Sequence, residues 1–181
     1  MIQTARPIPE MKPKKYYLSL RHQYLPKRIK LVIVAESPPI SGLYFYDANG
    51  RTSESLFAEL MRQLRFCPPA KKDGLIEFKE RGWVLVDATY RPVNGPISRA
   101  DCNRIIEQDY ELLRDDLKSL ISDHSTPLVL IKKNVCRLLG PKLVDDGFTV
   151  LNRGRDVYFP SNGWQKKFRE QFGRILEDVG L

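Results

Sequence analysis

The stretch LVIVAESPPISGLYFYD, residues 31–47, begins with five apolar residues and places an acid, Glu36, directly after them. An uninterrupted apolar run rich in β-branched residues is typical of a strand that is buried on both faces. Two prolines and a glycine follow, and they predict a loop. The loop ends in three consecutive aromatic residues, Tyr44, Phe45 and Tyr46. The stretch therefore predicts a buried strand that delivers a carboxylate into a loop beside aromatic rings.

Further apolar runs and helical patterns alternate along the chain. Strands are predicted at residues 83–88 and 127–131, and helices at residues 16–24, 54–65, 99–121 and 163–179. Ser98 and Asp101 form a capping box at the start of the longest of these helices. This alternation predicts an α/β protein, a three-layer α/β/α sandwich with a central, mostly parallel sheet.

Three shorter segments complete the predicted order of elements. Residues 67–74, with two prolines and a glycine, are expected to form a loop. A helix is expected to start at residue 134 and to be interrupted at Gly140-Pro141. Residues 148–151 and 157–159 are candidates for short strands.

The positive charge is concentrated near the start of the chain. The net charge is +8, and residues 1–30 hold eight Lys or Arg residues against one acid. Such a balance favours a polyanionic partner, nucleic acid first, although a solvated basic tail that binds nothing in particular has the same composition. We predict a basic arm over residues 1–15 and a single domain over residues 16–181.

The composition argues against several other classes of protein. Three widely spaced cysteines and two distant histidines offer no metal-ligand spacing, so we expect neither a metal nor a cofactor. Reduced thiols and the lack of a secretory signal are typical of a cytoplasmic protein. No segment approaches the roughly 20 apolar residues of a membrane span. We expect a monomer without membrane contact.

Four segments, in order, resemble the motifs of the uracil-DNA glycosylase superfamily. They are AESPP (35–39) with the aromatic loop after it, VLVDATYRPVNGP (84–96), PLVLIKKNVCRLL (127–139) and VYFPSNGWQKKF (157–168). The resemblance covers residues 31 to about 176. It implies the fold of that superfamily and a hydrolase of DNA repair that acts on a base flipped out of DNA.

The resemblance assigns roles to the first motif. Glu36 stands where members with an acidic first motif carry their catalytic carboxylate, which stabilises the cationic sugar or orients the attacking water. The three rings Tyr44, Phe45 and Tyr46 stand where the extruded base stacks on a ring, and Phe45 is the favoured one, with Tyr46 next. The alternatives are that Glu36 is a strand-end glutamate with no function and that the rings only pack beneath the loop.

The second motif departs from the family, because Asp87 stands where members carry an Asn that contacts the base. An ionised Asp only accepts hydrogen bonds. It would favour a base edge with an exocyclic amine, as in cytosine or adenine, so plain uracil is not the expected substrate. The alternative is an Asp that caps a loop.

The last motif departs as well, because Phe159 replaces a His that donates to the leaving base. Phe159 is still expected to contact the base. Either the leaving base is neutral or protonated, or the protein is not catalytic, or another group donates. Lys132, Lys133 and Arg155 are the candidates for that group.

The resemblance also predicts DNA contacts. Residues expected to contact phosphate are Pro160, Ser161, Asn162 and Gly163, joined by Lys166, Lys167 and Arg91. A turn followed by a solvated helix is the alternative. Ligands bind beyond the carboxyl ends of parallel strands. We therefore expect the proline-serine turn to meet Glu36, the aromatic ring and Asp87 at one cleft. The sequence thus favours a DNA glycosylase, over a non-catalytic DNA-binding protein or a nucleoside or nucleotide hydrolase.

Overall fold

The centre of the fold is a sheet of three parallel strands, and the computed structural model describes residues 11–181 around it. The strands are β1 (Leu31–Ala35), β2 (Trp83–Asp87) and β3 (Leu128–Leu130), in the order β2-β1-β3. Ile33 pairs with Leu85 on one side and with Val129 on the other. Every residue of the strands is buried, so both faces of the sheet are covered. The predicted α/β class with a parallel sheet is confirmed.

Seven helices surround the sheet within residues 11–181. They are α1 (Lys14–His22), α2 (Ser55–Gln63), α3 (Lys71–Glu80), α4 (Arg99–Gln108), α5 (Tyr110–Leu120), α6 (Lys133–Asp145) and α7 (Gln165–Glu177). Helix α2 packs against α7, and α4 packs against α6. In this part of the chain no helix has the length and apolar character that crossing a membrane requires.

The proposed arm, residues 1–15, overlaps a helix at its end. Residues 1–10 lie outside the described residues, but α1 already begins at Lys14. Tyr17 packs in the core, and Arg21 makes a buried ion pair with Asp116 at 2.7 Å. The helix predicted over residues 16–24 therefore begins two residues earlier, at Lys14, and is packed on the rest of the fold.

Helix boundaries differ from the prediction at three places. The helix expected over residues 99–121 is divided at Asp109, although the cap at Ser98 is confirmed by a 3.0 Å bond from the Asp101 amide. Helix α3 begins at Lys71, inside the predicted loop 67–74, and continues six residues beyond it. Helix α6 continues through Pro141, and the buried Leu139 and Leu143 on either side offset the hydrogen bond that the proline lacks.

The two short strand candidates are not strands. Val150 makes a single parallel bridge to Leu128, beside β3. Val157 contributes only its carbonyl oxygen, which accepts from the amide of Lys132 at 2.8 Å. The first segment therefore bonds to the start of β3 and the second to the chain just beyond its end, and neither extends the sheet.

The aromatic loop after β1 turns into the core. Tyr46 is fully buried, and its hydroxyl accepts from the amide of Leu85 at 2.7 Å and donates to the carbonyl of Leu85 at 3.2 Å. Since β2 lies at the edge of the sheet, this hydroxyl satisfies backbone groups that no strand pairs. Tyr46 is a structural residue, and the prediction that it binds a base is wrong.

A buried lysine anchors the same loop. The ammonium of Lys71, at the start of α3, donates to the carbonyl oxygen of Tyr44 at 2.8 Å and to the carboxylate of Glu54 at 2.5 Å. The Lys71 side chain is 0% exposed. A charge in such a place is stable only with a partner.

Removing this partner should destabilise the protein. We expect Glu54→Ala to lower the free energy of unfolding by about 3 kcal/mol, because Lys71 is then buried without a counter-ion. Urea denaturation measures the change. Glu77→Ala, which removes an exposed pair with Arg81, should cost less than about 1 kcal/mol. Equal losses in the two variants would contradict the role of Lys71, and Glu54→Leu combined with Lys71→Met should recover part of the loss.

Candidate active site

A cleft of about 740 Å³ opens beyond the carboxyl ends of β1 and β2. Its size falls in the range of roughly 300–1,000 Å³ that is usual for ligand sites. Residues that the sequence proposed for function are found in its wall: Glu36, Phe45, Asp87, Phe159, Ser161 and Asn162. They come from three separate parts of the chain. The expectation that the main candidate residues meet at one cleft is confirmed.

Glu36 is held by three donors at the inner end of the cleft. The ammonium of Lys132 donates to Oε2 of Glu36, the side-chain amide of Asn134 donates to Oε1 at 2.8 Å, and the thiol of Cys102 donates to Oε1 at 3.4 Å. Only 6% of Glu36 is exposed. A buried carboxylate needs such compensation. The site therefore keeps a negative charge away from bulk water.

Lys132 has a strained backbone. Its φ of 80° and ψ of 130° fall in a region that glycine adopts and other residues avoid, at a cost of about 1–3 kcal/mol. Lys132 precedes α6, and its side chain both contacts Glu36 and lines the cleft. Strain of this kind concentrates at functional sites. It marks Lys132 as a residue whose position serves the site.

Cys102 and Asn134 are members of the site that the sequence did not reveal. Both lie on buried helix faces, where a small polar residue looks like an ordinary core position. Burial, together with the charge of Glu36, raises the pKa of the Cys102 thiol to about 11. The thiol thus stays protonated and acts as a donor, and it is not a nucleophile. A polar Asn134 at the start of a helix that follows a strand was the available signal.

Asp87 is a second buried carboxyl group in the cleft. It is 3% exposed, and its Oδ2 has no hydrogen-bond partner among residues 11–181. Burial raises its pKa to about 7, while the nearby Tyr44 hydroxyl and Arg21 oppose the shift and the charges of Asp116 and Glu36 add to it. Near neutral pH Asp87 is therefore present in both forms, and only the ionised form is restricted to accepting hydrogen bonds. Its protonated form also donates.

Two phenylalanines contribute aromatic surface to the cleft. Phe45 is 7% exposed and packs edge-to-face on Tyr46, with ring centroids 5.0 Å apart, and on Phe78, at 5.1 Å. Phe159 is half-buried. Tyr44, the first ring of the aromatic loop, also lines the cleft, whereas Tyr46 does not. Phe45 and Phe159 remain the candidates for contact with a base.

The proline-serine segment forms a tight turn before α7. Ser161 and Asn162 line the cleft, whereas Pro160 is buried and Gly163 lies outside the wall. Asn162 and Gly163 have positive φ angles of 45° and 90°, and the Trp164 amide donates to the Ser161 carbonyl at 3.0 Å. The turn thus brings one hydroxyl and one amide side chain to the rim.

The predicted basic contacts lie away from the cleft wall. Lys166 and Lys167 are exposed on α7, beyond the turn. Arg91 makes a two-bond contact with Asp109, at 2.7 and 3.1 Å, and also contacts the side chain of Gln108. Because Asp109 neutralises the charge of Arg91, the structure gives no support to Arg91 as a DNA contact.

Neither a metal cluster nor a family match defines the site. Within residues 11–181, no group of three or more His, Cys, Asp or Glu side chains is arranged to hold a metal ion. Comparisons with models of known protein families and with curated proteins find no match to the chain. The chemistry has to be inferred from the residues of the cleft.

Proposed function

We propose that the protein is a DNA glycosylase-like hydrolase that removes a modified base flipped out of DNA. The observation that carries this proposal is the presence of Glu36, Phe45, Asp87 and Ser161 in the wall of one cleft. The resemblance of residues 31–176 to the uracil-DNA glycosylase superfamily supports the same function, and with it the three-layer glycosylase-like fold. The positive charge of the chain suits a DNA substrate.

Glu36 supplies the negative charge that the reaction needs. When the N-glycosidic bond breaks, the electron pair leaves with the base, and the sugar becomes cationic at C1′. The Glu36 carboxylate stabilises this cation in a site of low polarity. A water oxygen then bonds to C1′, and its proton passes to the carboxylate.

Lys132 supplies the donor that Phe159 lacks. The bond from the Lys132 amide to Val157 brings residue 132 beside the segment that contains Phe159. The ammonium faces the same cleft and can donate to a base that leaves with negative charge. The segment PLVLIKKNVCRLL resembles a superfamily motif in which a Leu-Gly pair follows the strand, and the glycine-like φ of Lys132 agrees with that motif.

Replacing Lys132 should slow base release in a way that depends on the base. We expect Lys132→Met to lower the rate about tenfold to a hundredfold, as for a lost hydrogen bond to a charged group. The loss should be largest for bases that leave poorly. Single-turnover rates on oligonucleotides with different bases measure this. The control is Lys142→Met, which removes a partly exposed lysine on α6. A loss that is the same for all bases would assign Lys132 a structural role only.

Asp87 contacts the polar edge of the base. Its ionised form accepts from an exocyclic amine, as on cytosine or adenine derivatives. Its protonated form also donates to a base carbonyl. Because the pKa of Asp87 is about 7, both forms occur near neutral pH. The preferred base should therefore change with pH.

An assay of abasic sites tests the proposal. Oligonucleotides that each carry one modified base are incubated with the protein and then treated with alkali, which cleaves the strand wherever a base is lost. The proposal expects cleavage of at least one substrate. Salt-sensitive binding without cleavage would favour a non-catalytic DNA-binding protein, for which Phe159 in the cleft is the supporting observation. Release of base from monomers alone would indicate a nucleoside or nucleotide hydrolase.

A further inference from the structure

An exposed aromatic pair follows the cleft. The rings of Tyr158 and Trp164 stack with centroids 4.8 Å apart and planes 8° from parallel. Trp164 is 45% exposed, which is unusual for so large an apolar side chain. Stacking and exposure together indicate a preformed aromatic surface that no described residue covers completely.

A lysine adds positive charge to this pair without covering it. The ammonium of Lys167 lies 4.7 Å from the ring centroid of Tyr158 and 5.5 Å from that of Trp164. A cation on an outer face of the stack would be much farther from one ring than from the other. The two similar distances therefore place the ammonium beside the stack, and the outer face of Trp164 is left accessible.

The pair adjoins the cleft through a short turn. Ser161 and Asn162 line the cleft, and they precede Trp164 by three and two residues. The bond from the Trp164 amide to the Ser161 carbonyl fixes this short connection at 3.0 Å. A nucleic-acid strand that leaves the cleft past Ser161 thus meets the aromatic pair next.

We propose that the Tyr158–Trp164 pair stacks an unpaired nucleotide beside the extruded one, so that the protein prefers single-stranded DNA to duplex. Bases stack on aromatic side chains whatever their sequence, and cations nearby neutralise the phosphates. In a duplex each base is already stacked on its neighbours, so it offers no free face. The place of this nucleotide next to the extruded base depends on the proposed function, but the stacking itself requires no catalysis.

Tryptophan fluorescence reports on this stacking directly. The chain has two tryptophans, and the other one, Trp83, is buried in the core at 6% exposure. Quenching by DNA therefore comes chiefly from Trp164. We expect a short oligothymidylate to quench the emission strongly, and a duplex of equal length to quench it little. Absence of quenching by the single strand would overturn the proposal.

Substitution of Trp164 separates stacking from charge. The affinity for labelled oligothymidylate, measured by fluorescence anisotropy, should fall about tenfold to a hundredfold in Trp164→Leu. Trp164→Phe, which keeps a ring, should stay near the wild-type affinity. The control is Val144→Ala, which shortens an exposed apolar side chain on α6. Equal losses for single strand and duplex in Trp164→Leu, or no loss for either, would overturn the proposal.

The two proposals fail in different ways. Trp164-dependent binding of single strands without any abasic sites would refute the enzymatic function and leave the stacking surface intact. If Trp164→Leu forms abasic sites and binds single strands with wild-type affinity, the stacking surface is refuted and the enzymatic function stays intact.

Discussion

Glu36→Gln should lower the rate of base release by about 10²–10³-fold, the loss seen when a group that stabilises transition-state charge is removed. Glutamine has nearly the shape of glutamate but carries no negative charge. It cannot stabilise a sugar cation or take a proton from water. The rate of abasic-site formation, under single-turnover conditions on the best substrate of the panel, measures the effect.

Two controls separate this loss from a general defect. Glu170→Gln removes an exposed acid of α7 and should leave the rate unchanged. The affinity of Glu36→Gln for DNA should stay close to that of the wild type, because the carboxylate acts on charge that develops during the reaction. A wild-type rate in Glu36→Gln would remove the main catalytic assignment.

Asp87→Asn should stabilise the protein at high pH. Burial raises the pKa of Asp87 from 3.8 to about 7 in the folded state. Between these values the folded protein binds a proton that the unfolded chain has released, so the contribution of Asp87 to stability falls as pH rises. At about 1.4 kcal/mol per pH unit, the loss amounts to about 4 kcal/mol. Asparagine does not titrate and avoids this loss.

Urea denaturation between pH 4 and pH 8 measures the difference. The free energy of unfolding of Asp87→Asn should rise relative to the wild type over this interval and level off above the folded pKa. Asp115→Asn, at an exposed position of α5, should show no such rise. A difference between Asp87→Asn and the wild type that is the same at every pH would contradict the raised pKa.

The sequence predicted the frame of the fold well. The three strands are short, apolar and continuous, and such runs are buried in parallel sheets whatever their neighbours are. Because parallel strands end at a common edge, the position of Glu36 and Asp87 in one cleft followed from the order of elements alone. The position of Ser161 and Asn162 then follows from the turn that the sequence predicts before the last helix.

Other features depend on contacts between distant residues, and the sequence could not show them. Tyr46 looks like a loop residue, yet it is buried because its hydroxyl satisfies the open edge of β2. Lys71 is buried, but in the sequence its charge made the start of α3 resemble a polar loop. The contacts of Cys102 and Asn134 with Glu36 join positions that are 66 and 98 residues away along the chain.

The protonation of Asp87 belongs to the same group of features. The residue type suggests an acceptor, but the pKa depends on how completely the folded chain removes the carboxyl group from water. Strand burial is visible in the sequence, whereas the absence of a partner for Oδ2 among the described residues is visible only in three dimensions. Whether Asp87 can donate as well as accept therefore depends on tertiary structure.

A crystal structure of Glu36→Gln with a single-stranded oligonucleotide that carries the best substrate base tests the central claim most directly. We expect this base to lie in the cleft, with its ring against Phe45 or Phe159 and its polar edge at Asp87. A phosphate should lie within hydrogen-bond distance of Ser161. DNA bound elsewhere on the surface, with no base in the cleft, would rule out the cleft as the base-binding site.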